Sequence, residues 1–242
     1  MKTIYHTADS RGHADHGWLN TYHSFSFAGW QHPERIHFGA LRVLNDDAVD
    51  GGMGFGKHPH RDMEIISIPL EGALEHSDSM GTNAVIRKGE VQVMSAGTGV
   101  QHSEFNHDKG NPVKFLQIWI FPRELNVAPR YQQKDLLDHT VKNEFQTLVS
   151  PDKAGEALWI HQDAWLSMIK MDKGISKIYD MHQANQGVYL FVLKGSVQVG
   201  NQTLNTRDGF GIWDTNNVDI TASEDAEVLF IEVPMTLPGY LG

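Results

Sequence analysis

His58-Pro59-His60-Arg61-Asp62-Met63-Glu64-Ile65 (HPHRDMEI) and, 42 residues after His60, His102-Ser103-Glu104 (HSE) decide how this chain of 242 residues folds. In each segment two side chains that bind metals stand two residues apart. On a β-strand that spacing directs both side chains to one face, whereas on a helix it separates them by about 200° around the axis. Two strands can therefore direct three imidazoles and one carboxylate into one barrel interior. The pattern predicts a metal site built on strands.

Short apolar or alternating runs recur along the chain between turns that contain glycine, proline or asparagine. This spacing is typical of all-β sandwiches and barrels, and long amphipathic helical stretches are scarce. The chain is therefore predicted to be all-β. The predicted strands are Ile36–Leu44, Met63–Leu70, Ala84–Ile86, Glu90–Met94, Val113–Phe121, Leu166–Lys170, Val188–Leu193, Phe210–Trp213 and Glu227–Val233.

A weak internal repeat predicts two similar domains. Leu70-Glu71-Gly72 resembles Leu193-Lys194-Gly195, and apolar residues follow each at similar spacing. Between the two halves, residues 122–153 are polar and carry little strand signal. We place the boundary near residue 135, which gives a metal-binding domain of residues 1–135 and a second domain of residues 136–242.

The repeat also predicts that the second half has no metal ligands. Counted along the repeat without gaps, the ligand candidates of the first half fall opposite residues that rarely bind transition metals. We therefore interpret the second domain as a scaffold that supports the first. The predicted counterparts of His58, His60, His102 and Glu104 are, in that order, Met181, Gln183, Thr221 and Ser223.

The composition restricts the function. The chain has no cysteine, which excludes disulfides, thiolate ligands and thiol nucleophiles. A net charge of -10 without any basic run argues against direct nucleic-acid binding. The N-terminal residues lack the apolar segment of a signal peptide, and no stretch of about 18 apolar residues occurs elsewhere. We expect a soluble cytoplasmic protein that does not enter membranes.

Three histidines and one glutamate leave one or two coordination positions for water and a ligand. Such an open position distinguishes a catalytic metal site from a closed structural one. The nitrogen and oxygen donors suit one divalent transition metal, with Fe(II) favoured. Mn, Ni, Cu and Zn stay open as alternatives, because the affinity order alone does not decide which metal is bound.

These segments resemble the two cupin motifs, and longer strings are similar to those of the pirin family of bicupins, particularly its quercetinase-like bacterial members. The strings are HPHRDMEI, LEGALEHSDSMG and MSAGTGVQHSEFNH. Three features depart from the cupin pattern: Gly72 lies one position beyond the usual spacing, Ser95 stands where cupins usually have proline, and one extra residue precedes His102. The resemblance is dense in the N-terminal half and thin in the C-terminal half. It implies two cupin-type β-barrels in one chain, the second of them degenerate.

Position by position, the resemblance implies that His58, His60, His102 and Glu104 bind the metal. Generic cupins take their carboxylate from the position of Glu64 instead. We follow the closer family, so Glu64 becomes a candidate base or a residue beside the ligands. Two more histidines of the motif block are candidates to support the ligands: His76 and His107.

The resemblance further implies a quercetin 2,3-dioxygenase-like enzyme. In that scheme the substrates are O2 and a small aromatic enol, and the metal binds the 3-hydroxyl oxygen of a flavonol. The cation lowers the pKa of that hydroxyl and holds the enolate where O2 attacks it and the ring opens. Glu104 is the candidate to take the substrate proton, with Glu64 as the alternative base.

Two other functions stay open at this point. Pirin-like proteins are also described as regulators that bind a protein partner, which would make the chain a metal-binding protein without turnover. A zinc or manganese isomerase or hydrolase on the same scaffold is a further alternative. We expect a monomer, because two barrels in one chain can pack on each other as two single cupins do.

Overall fold

The computed structural model describes residues 1–138, 140–237 and 239–241. Within them, regular structure consists of strands and of two short 3-10 helices, Ala8–Ser10 and Gly239–Leu241. In chain order the strands are β1 (Lys2–His6), β2 (Gly12–Asp15), β3 (Leu19–His23), β4 (Leu41–Val49), β5 (Gly54–His60), β6 (Glu64–Glu71), β7 (Ala73–Asp78), β8 (Asn83–Arg87), β9 (Glu90–Ser95), β10 (Val100–Asn106), β11 (Val113–Ile120), β12 (Arg130–Asp135), β13 (Gln146–Ser150), β14 (Leu158–Trp159), β15 (Trp165–Met171), β16 (Ser176–Asp180), β17 (Gln186–Lys194), β18 (Ser196–Val199), β19 (Gln202–Asn205), β20 (Gly209–Trp213), β21 (Asn217–Ala222) and β22 (Ala226–Pro234).

The strands form two barrels, each built from a seven-stranded and a four-stranded sheet. The first barrel combines the order β12-β9-β6-β11-β4-β3-β2 with the order β5-β10-β7-β8. The second combines β1-β20-β17-β22-β15-β13-β14 with β16-β21-β18-β19. The prediction of an all-β chain with two cupin-type barrels is confirmed.

The first strand of the chain pairs with the second barrel. The proposed boundary near residue 135 lies between β12 and β13, but β1 pairs along its whole length with β20 of the second barrel. Residues 2–6 therefore belong structurally with the second barrel, although the sequence division assigns them to the first. A boundary read along the chain misses this pairing, because it joins residues about 200 positions apart.

The predicted strand Ile36–Leu44 is partly wrong. The strand β4 begins at Leu41, because Phe38 and Leu41 close a turn with reciprocal backbone hydrogen bonds. The strands β5 and β10, which carry the histidines, are absent from the predicted strand runs. Their glycines and polar side chains hide the apolar alternation by which strands are found.

The two seven-stranded sheets pack face to face. Apolar residues from both sheets, such as Ile66 and Ile118 of the first and Leu166 and Leu229 of the second, join in one buried cluster. The packed faces account for the strongly apolar strands at the centre of each sheet. This shared core fixes the back of the first barrel and leaves its four-stranded sheet, with β5 and β10, on the other side.

The repeat is visible in a turn that both barrels share. Gly72 follows β6 with φ 76°, and Gly195 follows β17 with φ 74°. This left-handed conformation favours glycine. A Cβ on Gly195 would also meet the carbonyl oxygen of Asp225 at 2.1 Å. The two glycines therefore mark equivalent positions, from which the registers of the two barrels can be compared.

The comparison corrects the counterparts predicted by counting. Two residues after each glycine, Leu74 pairs with Asn106 and Val197 pairs with Ala222. This register places Val218 and Ile220, not Thr221 and Ser223, opposite His102 and Glu104. The reason is that the chain leading to His102 is three residues longer than its equivalent. On the neighbouring strand, Tyr179 and Met181 take the places of His58 and His60.

Candidate metal site

Three predicted histidines converge in the first barrel. On the ladder between β5 and β10, His102 pairs with His58, and Val100 pairs with His60. The ring centroids of His58 and His102 lie 4.4 Å apart, and that of His60 lies 4.8 Å from each. Nitrogens of all three rings come within 4.8 Å of one another. The strand spacing read from the sequence therefore brings these imidazoles together.

Hydrogen bonds orient two of the rings. Nδ1 of His58 lies 2.8 Å from the carbonyl oxygen of Gly56, to which it donates, and this leaves Nε2 as the free nitrogen. Nε2 of His102 is buried and has no hydrogen-bond partner among the described residues. A buried imidazole nitrogen without a partner is expected where a metal ion binds.

Two of the histidines, His60 and His102, are neutral at physiological pH. Burial, together with the charge of His58, lowers the pKa of His60 to about 4. Burial and the neighbouring histidines lower the pKa of His102 to about 2. A metal ion binds the neutral imidazole, so both rings are already in the protonation state that coordination requires.

A buried pair behind His102 sets the orientation of its ring. Nδ1 of His76 lies 3.5 Å from Nδ1 of His102, and Nε2 of His76 lies 3.0 Å from a carboxylate oxygen of Asp78. Hydrogen bonds from His76 and from the backbone of Thr82 and Met80 outweigh burial and lower the pKa of Asp78. The ionised Asp78 accepts from Nε2 of His76, so Nδ1 of His76 accepts the proton of His102. This arrangement leaves Nε2 of His102 free to bind a metal.

Glu104 is fully enclosed beside His102. One of its carboxylate oxygens accepts from Ser67 Oγ at 3.2 Å and the other from Gln117 Nε2 at 3.0 Å. Burial raises the pKa of Glu104 to about 7, against the opposing effect of these two hydrogen bonds. Its carboxylate lies within 4.8 Å of nitrogens of His76 and His102, in a group that does not include His58 and His60.

The four predicted ligands line one cavity. It has a volume of about 230 Å³ and is open on one side. Aromatic and aliphatic side chains form much of its wall, including Phe27, Phe55, Ile65 and Trp119. Phe27 and Trp119 meet edge to face with centroids 5.4 Å apart. The histidines and Glu104 therefore face an apolar space that can hold a small molecule.

Glu64 lies outside this cavity. It is buried, its carboxylate accepts from Ser95 Oγ at 2.7 Å, and burial raises its pKa to about 7. Ile65, the next residue of β6, faces the cavity, so Glu64 points to the opposite face of the strand. The structure does not place Glu64 where a base for a ligand of His58 would stand.

His107 also lies apart from the site. Its ring is exposed and pairs with Glu75 at 3.3 Å. Of the two additional histidines considered from the sequence, the structure brings only His76 to the ligands.

The sequence reading missed a row of buried polar residues on the large sheet. At one level of the ladder, Ser67 pairs with Gln117, Gln117 with Asn45, and Asn45 with His23. Paired residues of antiparallel strands share a face, so these four side chains, which we call the polar row, extend from Glu104 across β6, β11, β4 and β3. The sequence feature that could have indicated these residues is a single polar residue inside an apolar strand, as in Leu116-Gln117-Ile118.

The donor set fits a divalent transition metal. Three imidazoles and a nearby carboxylate match the ligands of zinc, iron and nickel sites. The open cavity beside them leaves room for a further ligand. Such a centre can bind a small oxygen-bearing molecule and withdraw electron density from it.

Comparison with known proteins identifies both halves of the chain. Residues 5–120 match the family model described as Pirin, and residues 147–233 match the model described as Quercetinase C-terminal cupin domain. Among curated relatives, quercetin 2,3-dioxygenase of Escherichia coli K12 is 42% identical over 230 residues, which cover 94% of this chain and 96% of the relative. A pirin-like protein of Caulobacter vibrioides is 40% identical and covers 93% of this chain and 96% of its own length.

A solved structure is similar over nearly the whole chain. The crystal structure of the bacterial pirin YhhW from Escherichia coli, in complex with nickel(II), superposes with a TM-score of 0.91 at 40% identity. The match covers 96% of this chain and 99% of that one. The dioxygenase activity named for the Escherichia coli relative agrees with the enzyme class predicted from the sequence. None of the helices in the described part of this chain has the length and apolarity needed to cross a membrane.

Proposed function

The chain belongs to the pirin family, and on that premise we propose that it is a metal-dependent dioxygenase that uses O2 to cleave flavonol-like enols. The observation that carries the proposal is the convergence of three imidazoles and a buried carboxylate on one open, largely apolar cavity. The curated quercetin 2,3-dioxygenase supports the substrate class, because its similarity extends over both barrels.

We assign the metal ligands as His58, His60, His102 and Glu104. The free nitrogens of the first three already face one another, and rotation of the Glu104 side chain would add the carboxylate. Fe(II) is the metal we favour for this nitrogen and oxygen set, with nickel, bound by the related pirin, as the first alternative. When bound, the cation supplies positive charge that stabilises an enolate oxygen and lowers the pKa of the enol.

Glu104 is the residue that we propose takes the substrate proton. In the metal-free protein burial raises its pKa to about 7, so its carboxyl group can both take up and release a proton near neutral pH. A base whose pKa is near the working pH transfers protons efficiently in both directions. In the metal-free protein the Ser67 hydroxyl and the Gln117 amide hold the carboxylate beside His102.

The cavity walls orient the substrate and exclude water. Ile65 and the edge-to-face pair of Phe27 and Trp119 leave a space whose sides are apolar. A planar aromatic enol can lie between them with its oxygen atoms toward the histidines. Exclusion of bulk water strengthens the electrostatic interactions among the charged groups in the cavity.

The test is oxygen consumption by metal-loaded protein in the presence of quercetin. We expect His58→Ala and His102→Ala to abolish it, and His107→Ala, at an exposed histidine outside the cavity, to leave it unchanged. Metal-loaded wild-type protein that consumes no oxygen with any flavonol would contradict the proposal. That result, together with capture of a partner that requires the bound metal, would favour the regulatory alternative.

A further inference from the structure

A second cavity adjoins the histidine-lined one. It has a volume of about 430 Å³ and lies between the strands β2 and β3, the β4 face and the turn after Phe27. Phe27, Asn45, Asp47 and Phe55 line both cavities. The two spaces are therefore neighbours that share these side chains as part of their walls. We call the second cavity the side chamber.

The histidine-lined cavity is smaller than most binding sites for small molecules. Sites for drug-sized molecules usually enclose about 300–1,000 Å³, and the histidine-lined cavity, with about 230 Å³, falls below this range. A substrate that carries a further aryl substituent therefore needs additional space. Together with the side chamber, the histidine-lined cavity reaches the usual size.

The polar row leads from Glu104 into the side chamber. It ends at His23, whose Nδ1 lies 2.9 Å from Oδ1 of Asn45. On the same face of β4, the carboxylate of Asp47 accepts from the Thr21 hydroxyl. Within the described residues, neither Nδ2 of Asn45 nor the second oxygen of Asp47 has a hydrogen-bond partner. Both residues are buried and line the junction of the two cavities, so each has a polar atom available for a ligand.

An indole forms a wall of the side chamber. The Trp30 ring lies flat against β2 where Gly12 leaves space for it, because a Cβ at that residue would meet ring atoms at 2.2–2.6 Å. Phe27 contributes a second aromatic ring at the junction and packs against His23, with centroids 5.3 Å apart. Aromatic walls with a few polar groups are typical of sites for planar, hydroxylated rings.

We propose that the side chamber binds a hydroxylated aryl substituent of the substrate whose enol reaches the histidine-lined cavity. This inference rests on the proposed function and narrows its substrate class to enols that carry an aryl group. Asn45 and Asp47 contact the hydroxyl groups, and Trp30 packs against the ring. Enols without an aryl group bind the histidine-lined cavity alone.

The experiment compares two ligands on protein loaded with nickel(II), without oxygen, by calorimetry. One ligand is quercetin. The other is 3-hydroxychromone, which has the same enol but lacks the aryl substituent and the two hydroxyls on the fused ring. We expect wild-type protein to bind quercetin about tenfold more tightly or better, because the aryl ring is removed from water. Ala14→Phe, which fills the side chamber, should abolish this preference and leave the affinity for 3-hydroxychromone unchanged.

Two further variants keep the test decisive. Asp15→Phe places the same side chain on the next, exposed residue of β2 and should behave as wild type. Trp30→Ala removes the aromatic wall without filling the chamber and should reduce the preference by about threefold or more. An equal preference in wild type and Ala14→Phe, or no preference in wild type, would overturn the inference.

The outcome is distinguishable from that of the proposed function. A preference that disappears in Ala14→Phe, in a protein that consumes no oxygen with quercetin, would support the side chamber and refute the dioxygenase. Oxygen consumption with quercetin by a protein that binds both ligands equally well would support the dioxygenase and refute the role of the side chamber.

Discussion

The two barrels share a sheet order but have different interiors. The inside of the second barrel is mostly one large apolar cluster that includes Val197, Val218 and Ile220, and a buried carboxylate, Glu232, is hydrogen-bonded to Tyr179 and His182. The apolar residues inside the first barrel form two smaller clusters, one around Leu74 and Phe115 and the other around Ile65 and Met94. The histidines, Glu104, the polar row and two cavities occupy the remaining space. The same scaffold thus holds an apolar core in one half and a candidate reaction site in the other.

Equivalent positions show how the difference arises. Val218 and Ile220 of the second barrel stand where the first has His102 and Glu104. Burial of polar and ionisable groups is costly unless they are hydrogen-bonded or bind a metal, and the raised pKa of Glu104 reflects this cost. The first barrel therefore carries unfavourable groups that a bound cation would stabilise, while the second contributes packing.

The largest expected effect is on metal binding, when alanine replaces the residue at equivalent positions of the two barrels. His102→Ala removes an imidazole with a free nitrogen and should reduce bound metal to near zero. Val218→Ala should keep metal binding and lower the free energy of unfolding by about 1–3 kcal/mol, because it leaves a small cavity in an apolar core. Elemental analysis and chemical denaturation measure the two quantities. Metal loss in Val218→Ala with an intact fold would contradict the division of roles.

A second test introduces a carboxylate into the interior of the second barrel. Ile220→Glu puts a carboxyl group into the apolar cluster of the second barrel. We expect a loss of about 3 kcal/mol or more in the free energy of unfolding at neutral pH. The control is Thr221→Glu, at the partly exposed neighbouring residue, which should have little effect. A similar small effect of both substitutions would show that the second interior tolerates charge.

The third prediction concerns Glu64, the buried carboxylate of the first barrel that points away from the cavity. Glu64 has a pKa raised to about 7 mainly by burial, so its ionisation favours the unfolded chain as the pH rises from about 4.5 to about 7. Glu64→Gln should therefore become more stable relative to wild type over this range, by up to about 3 kcal/mol. Urea denaturation of both proteins at pH 5 and pH 8 measures the difference. Because Glu64 points away from the cavity, metal binding should not change; a difference that does not vary with pH would refute the assignment.

The smallest expected effect concerns His76, whose equivalent in the second barrel is the core residue Val199. His76→Leu removes the acceptor that orients His102, and we expect metal affinity to fall by about tenfold. His76→Gln, which keeps an acceptor for His102 and a donor for Asp78, should recover part of the loss. Nitrogen NMR of the metal-free protein should show that the tautomer of His102 is mixed in His76→Leu. An unchanged tautomer and affinity would mean that His76 only fills space.

The sequence was sufficient to predict the barrels and the convergence of the histidines. Two residues that stand two positions apart on a strand point to the same face, so the spacing alone predicts the convergence. The motif strings around His58 and His102 are long enough to identify a family. The register between the barrels was not accessible by counting, because the chain before His102 is longer than its equivalent.

The position of Glu64 shows a second limit. Its spacing of four from His60 would place both on one face of a continuous strand. Asp62, with φ 48°, turns the chain between β5 and β6, so the alternation does not continue across it. The side chamber also escaped prediction, because it depends on residues of β2, β3 and β4 that meet only in the folded sheet.

The most direct test of the central claim is anomalous X-ray diffraction from crystals of the metal-loaded protein. We predict one strong peak about 2.1 Å from nitrogens of His58, His60 and His102, with a Glu104 oxygen at a similar distance. At least one coordination position should face the cavity. A peak elsewhere, or a metal held by the histidines while Glu104 keeps only its bonds to Ser67 and Gln117, would contradict the four-ligand site.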